Sequence, residues 1–283
     1  MKRFLPGLGA LALVAAIIGY VVWQRPAAPV PLPPAPKEVV LQYADGSRLW
    51  SSADGQPNSV IVERVLAELH GANLPLDALK LVGGAVRTTI DARTQTVSAT
   101  VVGRLVAPNQ RLSATVTAVD PVSGGVRAYV PGPRRGLNDP ADEPRETVPE
   151  LAEPFALADA PDLVQARMRP LDLTAAYATF AAGGVQRRAH FVAAVTGADG
   201  SSLYQAAETD KSVFGDDVAD RITLELKEKP GCNSVACVPD AFPWAVGYTP
   251  QLAVTVLVDQ AGGDVDAGLS VAIWQELVAE LTE

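Results

Sequence analysis

The chain has 283 residues, a formal net charge of −9 and six lysines. That length buries a core without metal or disulfide staples, and that charge excludes nucleic-acid binding, which needs clustered Lys and Arg to neutralise phosphates. No glycine-rich phosphate loop or internal repeat is present, and His70, His190, Cys232 and Cys237 are too scattered to make a metal-ligand set, so no cofactor and no metal are expected.

Phe4 to Trp23 is an uncharged, mostly apolar run of roughly 20 residues, the length that crosses a bilayer. Lys2 and Arg3 precede it, which predicts a single-pass anchor in the cell membrane with the body on the extracytoplasmic side. A cleaved signal peptide is the alternative. Pro26 to Pro36 then reads as a stiff polyproline spacer. Gln42 to Trp50 predicts a strand and turn around Asp45-Gly46, and Val60 to Leu69 a short helix. Leu112 to Val130 predicts a hairpin: Ala114, Val116 and Ala118 alternate with threonines, Asp120 to Gly125 turns, and Val126, Ala128 and Val130 return.

Pro131 to Pro154 holds six prolines and mixed charge, the composition of an exposed loop, and its carboxylates (Asp142, Glu143, Glu146, Glu150, Glu153) read as solvated. Met168 to Val185 predicts an amphipathic helix with Leu173, Ala176, Tyr177 and Phe180 on one face, stopped by Gly183-Gly184. A strand at Phe191 to Thr196, a turn at Ala198-Asp199-Gly200, a return at Leu203-Tyr204 and a helix over Phe214 to Lys227 follow. Cys232 and Cys237 enclose a short loop and are expected to form a disulfide outside the membrane, free thiols being the alternative. In Asp240 to Asp259, Phe242, Trp244, Val246 and Tyr248 are bulky at alternate positions, the pattern of a half-buried strand. Thr249-Pro250-Gln251 turns the chain, and Leu252, Val254, Val256 and Val258 resume the period. Pro243 suggests an edge strand or a bulge. Leu269, Ile273, Leu277 and Leu281 predict a terminal amphipathic helix over this hairpin.

Trp244-Ala-Val-Gly-Tyr-Thr-Pro-Gln-Leu252 resembles the strand pair that follows the active-site Lys-Thr-Gly motif in transpeptidase domains of bifunctional, class A penicillin-binding proteins. Leu81 to Gln95, with its Gly83-Gly84 pair and Thr88-Thr89-Ile90-Asp91, is similar to the lead-in to those domains. Asp120-Pro121-Val122-Ser123-Gly124 is similar to their first hairpin turn, and Leu171 to Val185 to a helix beyond their catalytic centre. The resemblance runs over residues 60 to 281 in the family's order. It implies an α/β (α+β) fold, an antiparallel sheet flanked by helices like that of the serine β-lactamases, built here from 112–130 and 242–259. The implied organisation is a tip and anchor at 1–25, a spacer at 26–37, a lead-in at 38–105 and a transpeptidase-like domain at 106–283. Loop 131–154 then stands where the catalytic helix belongs.

The chemistry of that family uses Ser-x-x-Lys, whose amine takes the hydroxyl proton, with Ser-x-Asn and Lys-(Thr/Ser)-Gly completing the site. No lysine here has a serine three residues before it, and the Ser-x-Asn segment is missing from the same interval. Lys229-Pro230-Gly231 is the one echo of the third motif, readable as a relic carboxylate-binding strand through Lys229 and Gly231 or as a helix stop and turn. The family's glycosyltransferase domain has no room between the spacer and Val60. The resemblance thus implies a shortened, non-catalytic relative acting by binding or scaffolding in peptidoglycan assembly, with peptidoglycan or other cell-wall synthesis proteins as partners. A penicillin-sensitive transpeptidase or carboxypeptidase with an unorthodox nucleophile (Ser123, Ser234 or Thr147) is the alternative.

Overall fold

Two five-stranded sheets position everything else in the computed structural model. It describes residues 35–57, 59–106, 112–132, 139–207, 209–260 and 266–282; the apolar run 4–23 and the spacer up to residue 34 lie outside these. Among the described residues no helix is long and apolar enough to cross a membrane.

The first sheet begins with the hairpin of β1 (Val39–Gln42) and β2 (Arg48–Ser51). β3 (Gly84–Thr88) lies parallel to β1, a pairing that requires a long crossover, supplied by α1 (Val60–Gly71) and α2 (Leu76–Val82). α1 lays Ile61, Val62, Val65 and Leu69 into the core. On its other side β3 pairs with β9 (Val192–Gly197), which continues into β10 (Ser202–Gln205). Strands from residues 39–88 and from the later segment 192–205 therefore share one sheet, and residues 36–283 form one compact unit. The Glu68 carboxylate on α1 fastens it, accepting hydrogen bonds from Phe191 N at 2.7 Å and Val192 N at 3.1 Å.

The second sheet runs in the order β12 (Ala236–Val238), β13 (Trp244–Tyr248), β14 (Ala253–Gln260), β4 (Leu112–Val119), β5 (Val126–Val130), antiparallel throughout. The predicted pairs 112–130 and 242–259 are thus neighbours in one sheet. Their alternation has a different cause from the predicted one. Both faces are covered, and every residue of β13 is buried. Trp244, Val246, Tyr248 and Leu257 face one core, packed against α5 (Pro170–Ala181). Ala245, Val254, Val256 and Val258 face another, formed with α3 (Ala92–Val106) and α7 (Leu269–Thr282). The threonines of β4 are buried as well: the Thr117 hydroxyl lies 2.6 Å from that of Thr174, which donates to Pro170 O. In β13 the period of two therefore separates large from small side chains rather than dry from wet ones. Pro243 precedes an interior strand, where its missing N–H costs no ladder bond, so neither edge nor bulge is needed.

The sheets meet at the β4–β5 turn, where Gly125 bridges to His190 and the Thr89 hydroxyl lies 2.9 Å from Val126 O and 2.8 Å from His190 O. Asp120 organises that turn by accepting from Val122 N at 2.8 Å and pairing with Arg127. Burial pushes the Asp120 carboxyl up, but the Arg127 hydrogen bond and the backbone N–H groups outweigh it and leave it below the usual carboxylate value. A depressed folded-state pKa stabilises above the unfolded value of ~3.9 and is lost as pH falls through the folded one. Asp120→Asn should therefore lower the urea midpoint at pH 7, and the gap to the wild type should close as acid protonates Asp120; a gap constant with pH would show that the carboxylate charge is not what matters.

Segment 131–154 departs from its prediction as a loop. Among the described residues it contains a 3-10 turn at Pro140–Asp142, β6 (Arg145–Glu146) and the first part of α4 (Pro149–Leu157). The prolines promote this order: Pro140 and Pro149 stand at the first turn of their helices, where no N–H is required and the fixed φ is already helical. Leu151 and Phe155 then bury completely, with Phe155 edge-on to Tyr177 at 5.0 Å. β6 pairs with β7 (Arg167–Met168), ahead of α5.

Candidate functional site

The implied site lies at the free edge of the second sheet, beside β12 and the segment that follows β5. β12 pairs only with β13, yet all three of its residues are buried. Its cover is α6 (Asp216–Lys227), an amphipathic helix whose Ala219, Ile222 and Leu226 turn into the core. α6 is set by β8 (Val185–Gln186) pairing with β11 (Lys211–Ser212), and Gly184 before β8 sits at φ +86° so close to Phe214 O that no side chain fits. Cys232 and Cys237 are disulfide-bonded, with Cα atoms 5.5 Å apart, which ties the chain leaving α6 to the middle of β12.

Lys229-Pro230-Gly231 occupies the turn between α6 and β12 rather than a strand. Lys229 Nζ lies 3.6 Å from Glu153 of α4, and Gly231 O accepts from Gln275 Nε2 of α7 at 2.5 Å. The candidate nucleophiles are dispersed. Ser123 Oγ accepts from Gly125 N at 3.1 Å in the β4–β5 turn. Thr147 Oγ1 donates to Gln165 O at 2.7 Å. Ser234 stands exposed inside the disulfide loop. His70 is exposed at the end of α1, and His190 Nδ1 lies 3.3 Å from Arg188 O while its backbone joins the two sheets.

The predicted carboxylates do not act as one set. Asp142 pairs with Arg64 at 2.9 Å and Arg169 at 3.4 Å, and Glu143 with Arg145 at 3.1 Å, whereas Glu146 and Glu150 face solvent. The reason is the order in this segment, which brings the acids against fixed cations.

Sequence reasoning missed the polar centre that holds this segment. Tyr129, ending β5, donates its hydroxyl to Asp139 Oδ2 at 2.9 Å, and Arg64 of α1 donates Nε and Nη2 to the same oxygen at 2.8 and 2.7 Å. The guanidinium also lies 5.8 Å from the Tyr129 ring centre. Burial and the neighbouring Asp139 push the Tyr129 hydroxyl above its usual range, so it stays a proton donor. Burial works against the Arg64 charge, but Asp142 and Asp139 more than offset it. No local pattern could reveal this group, because Arg64 and Asp139 are 75 residues apart. A second tie is Trp244 Nε1, which donates to Glu146 O at 2.9 Å, and a third is Arg145 with Asp259 at 2.9 Å. The arrangement clamps residues 139–148 onto the sheet.

No family model matches the chain. Over 122 residues it is 33% identical to penicillin-binding protein 1A of Mycolicibacterium smegmatis, a match covering 36% of this chain and 16% of that protein, so it spans only a small part of the relative's length. The solved structure of PonA1 from Mycobacterium tuberculosis in complex with penicillin V superposes with a TM-score of 0.67 at 21% identity, covering 80% of this chain and 93% of that one. The D,D-transpeptidase domain of a peptidoglycan glycosyltransferase from Eggerthella lenta superposes with a TM-score of 0.63 at 13% identity, covering 88% and 99%. At these identities the superpositions show that the chain has the fold of penicillin-binding-protein transpeptidase domains, and the matched stretch shows that part of it is similar in sequence to penicillin-binding protein 1A.

Proposed function

We propose that this chain serves peptidoglycan assembly as a penicillin-binding-protein-like protein that binds or scaffolds and does not itself transfer acyl groups. The observation that supports it best is chemical: a serine acylation needs an amine within reach of the hydroxyl, and no lysine in the chain follows a serine at helical spacing. Two features of the fold agree. The interval after β5 is filled by the clamped segment 139–157, and the edge strand β12, where a relative would lay its substrate, is buried under α6. The apolar run Phe4 to Trp23 would tether the body outside the cytoplasmic membrane, close to peptidoglycan and its synthesis proteins as partners. In this reading residues 38–105 and 106–283 work as one transpeptidase-like body behind a spacer at 26–37.

The competing reading is a penicillin-sensitive transpeptidase or carboxypeptidase using Ser123, Ser234 or Thr147. Fluorescent penicillin added to the purified full chain in detergent separates the two. No covalent label is expected under conditions that fully label an active transpeptidase, with circular dichroism showing the chain folded. A labelled serine would overturn the proposal.

A further inference from the structure

α4 and α6 touch at two points that come in opposite order along the chain. Arg221 Nη2 donates to Leu157 O at 3.5 Å, and Lys229, just past α6, lies 3.6 Å from Glu153. The two helices are therefore antiparallel neighbours. Their inner sides are committed to the core through Leu151 and Phe155 of α4 and Ala219, Ile222 and Leu226 of α6. Leu224, one turn on from Arg221 on the same side of α6, comes next to the seam between them. It is 62% exposed, and Leu157 at the end of α4 is 54% exposed.

The surround of these two leucines is acidic. α4 carries Glu150 and Glu153 and no base, and α6 carries Asp216, Asp217, Asp220 and Glu225 against Arg221 and Lys227. Of these six carboxylates, Glu153 alone has a cationic partner among the described residues, Lys229. Glu150, Asp216 and Asp217 suit the positive first turns of their helices. Asp220 and Glu225 have no such role, and exposed leucines add nothing to the core. Excess negative charge beside bare apolar side chains sets what can settle there. An anionic bilayer, a nucleic acid and the same face of a second copy are all repelled. A segment with lysine or arginine flanking an apolar stripe meets both features, and the groove between two helices accepts it as a third helix.

We propose that the α4–α6 face docks a basic amphipathic helix of a partner protein, with Leu157 and Leu224 against its apolar stripe and the carboxylates against its cations. The proposal rests on the reading above that the chain acts by binding, and it narrows the partner from cell-wall polymer or protein to a protein.

Photo-cross-linking tests it, with a helical lysine–leucine peptide bearing a benzophenone added to the full chain in detergent. Cross-links are expected on α4 and α6 around Leu157 and Leu224, with a yield that saturates and falls as salt rises. A peptide of the same composition scrambled to break the apolar stripe, and one with glutamate for lysine, should each label about tenfold less. Leu157→Gln with Leu224→Gln should weaken binding about tenfold, removing the apolar contact and leaving every charge. Asp220→Asn with Glu225→Gln should weaken it about threefold and flatten the salt dependence. All four side chains are exposed, so circular dichroism of both variants should match the wild type. No cross-link, cross-links only elsewhere on the body, equal labelling by the glutamate peptide, or unchanged binding by the leucine variant would overturn the assignment. Fluorescent penicillin on the same sample keeps the two proposals apart. No label with no peptide binding overturns this surface alone, whereas a labelled serine overturns the reading above and this proposal with it.

Discussion

Trp244→Ala should remove about 3–5 kcal/mol of stability, the cost of emptying a Trp-sized space in a packed interior. Trp244 is fully buried at the head of β13, on the face of the second sheet that packs against α5. Its indole also donates to Glu146 O, so it holds both the core and the β6 segment that follows β5. The two roles separate by substitution. Trp244→Phe keeps most of the packing and deletes the hydrogen bond, at about 1 kcal/mol. Its urea midpoint should fall modestly, while native-state trypsin cleavage after Arg145 should accelerate because β6 loses its tie to the sheet. Trp274→Ala, on the opposite face, should cost a similar amount overall through the α7 core without singling out Arg145. Equal cleavage at Arg145 in Trp244→Phe and the wild type would show that the indole bond does not hold the segment.

Gly247→Ala is the second large effect, expected at about 3 kcal/mol or more. Gly247 lies in β13 on the face covered by α7, where a Cβ would run into the Trp274 ring, Ala236 O at 2.6 Å and Cys237 Cβ at 2.7 Å. The ring could be trimmed, but the carbonyl belongs to the β12 backbone and the Cys237 Cβ to the disulfide. Gly247→Ala combined with Trp274→Leu should therefore remain far below Trp274→Leu alone. Full recovery in that double variant would mean that only the ring limits the approach. The residue reads locally as a weak point in a strand; its value lies in letting an indole settle on the sheet.

The elements built from near neighbours were legible in the residues. α5 shows its apolar face and its glycine stop, and β13 and β14 show their period of two around Pro250. What could not be read was pairing over distance. β3 is flanked by β1, some forty residues before it, and by β9, more than a hundred after it, so nothing near Val86 announces its partners. The cover over β4 is just as distant in sequence: Thr117 is covered by α5 and satisfied by Thr174. Pro140 and Pro149 misled in segment 131–154, where position within the first helical turn made them starters rather than breakers. The Arg64, Tyr129 and Asp139 group draws on several elements, and charge alone does not say which ions will meet.

The strand order of the second sheet sets a timetable for biosynthesis. β14 lies between β13 and β4 and contributes eight paired positions to β4 alone, so it is the keystone of that sheet, yet it is made after the other four strands. Until residues 253–260 emerge, the β4–β5 hairpin and the β12–β13 pair have no common neighbour, and each offers an open apolar edge of the kind that aggregates. The second sheet must therefore wait for residues 253–260, although the first sheet is complete by residue 205. A nascent chain stalled near residue 250 should be a strong client for holding chaperones, and release of only the next few dozen residues should end that dependence.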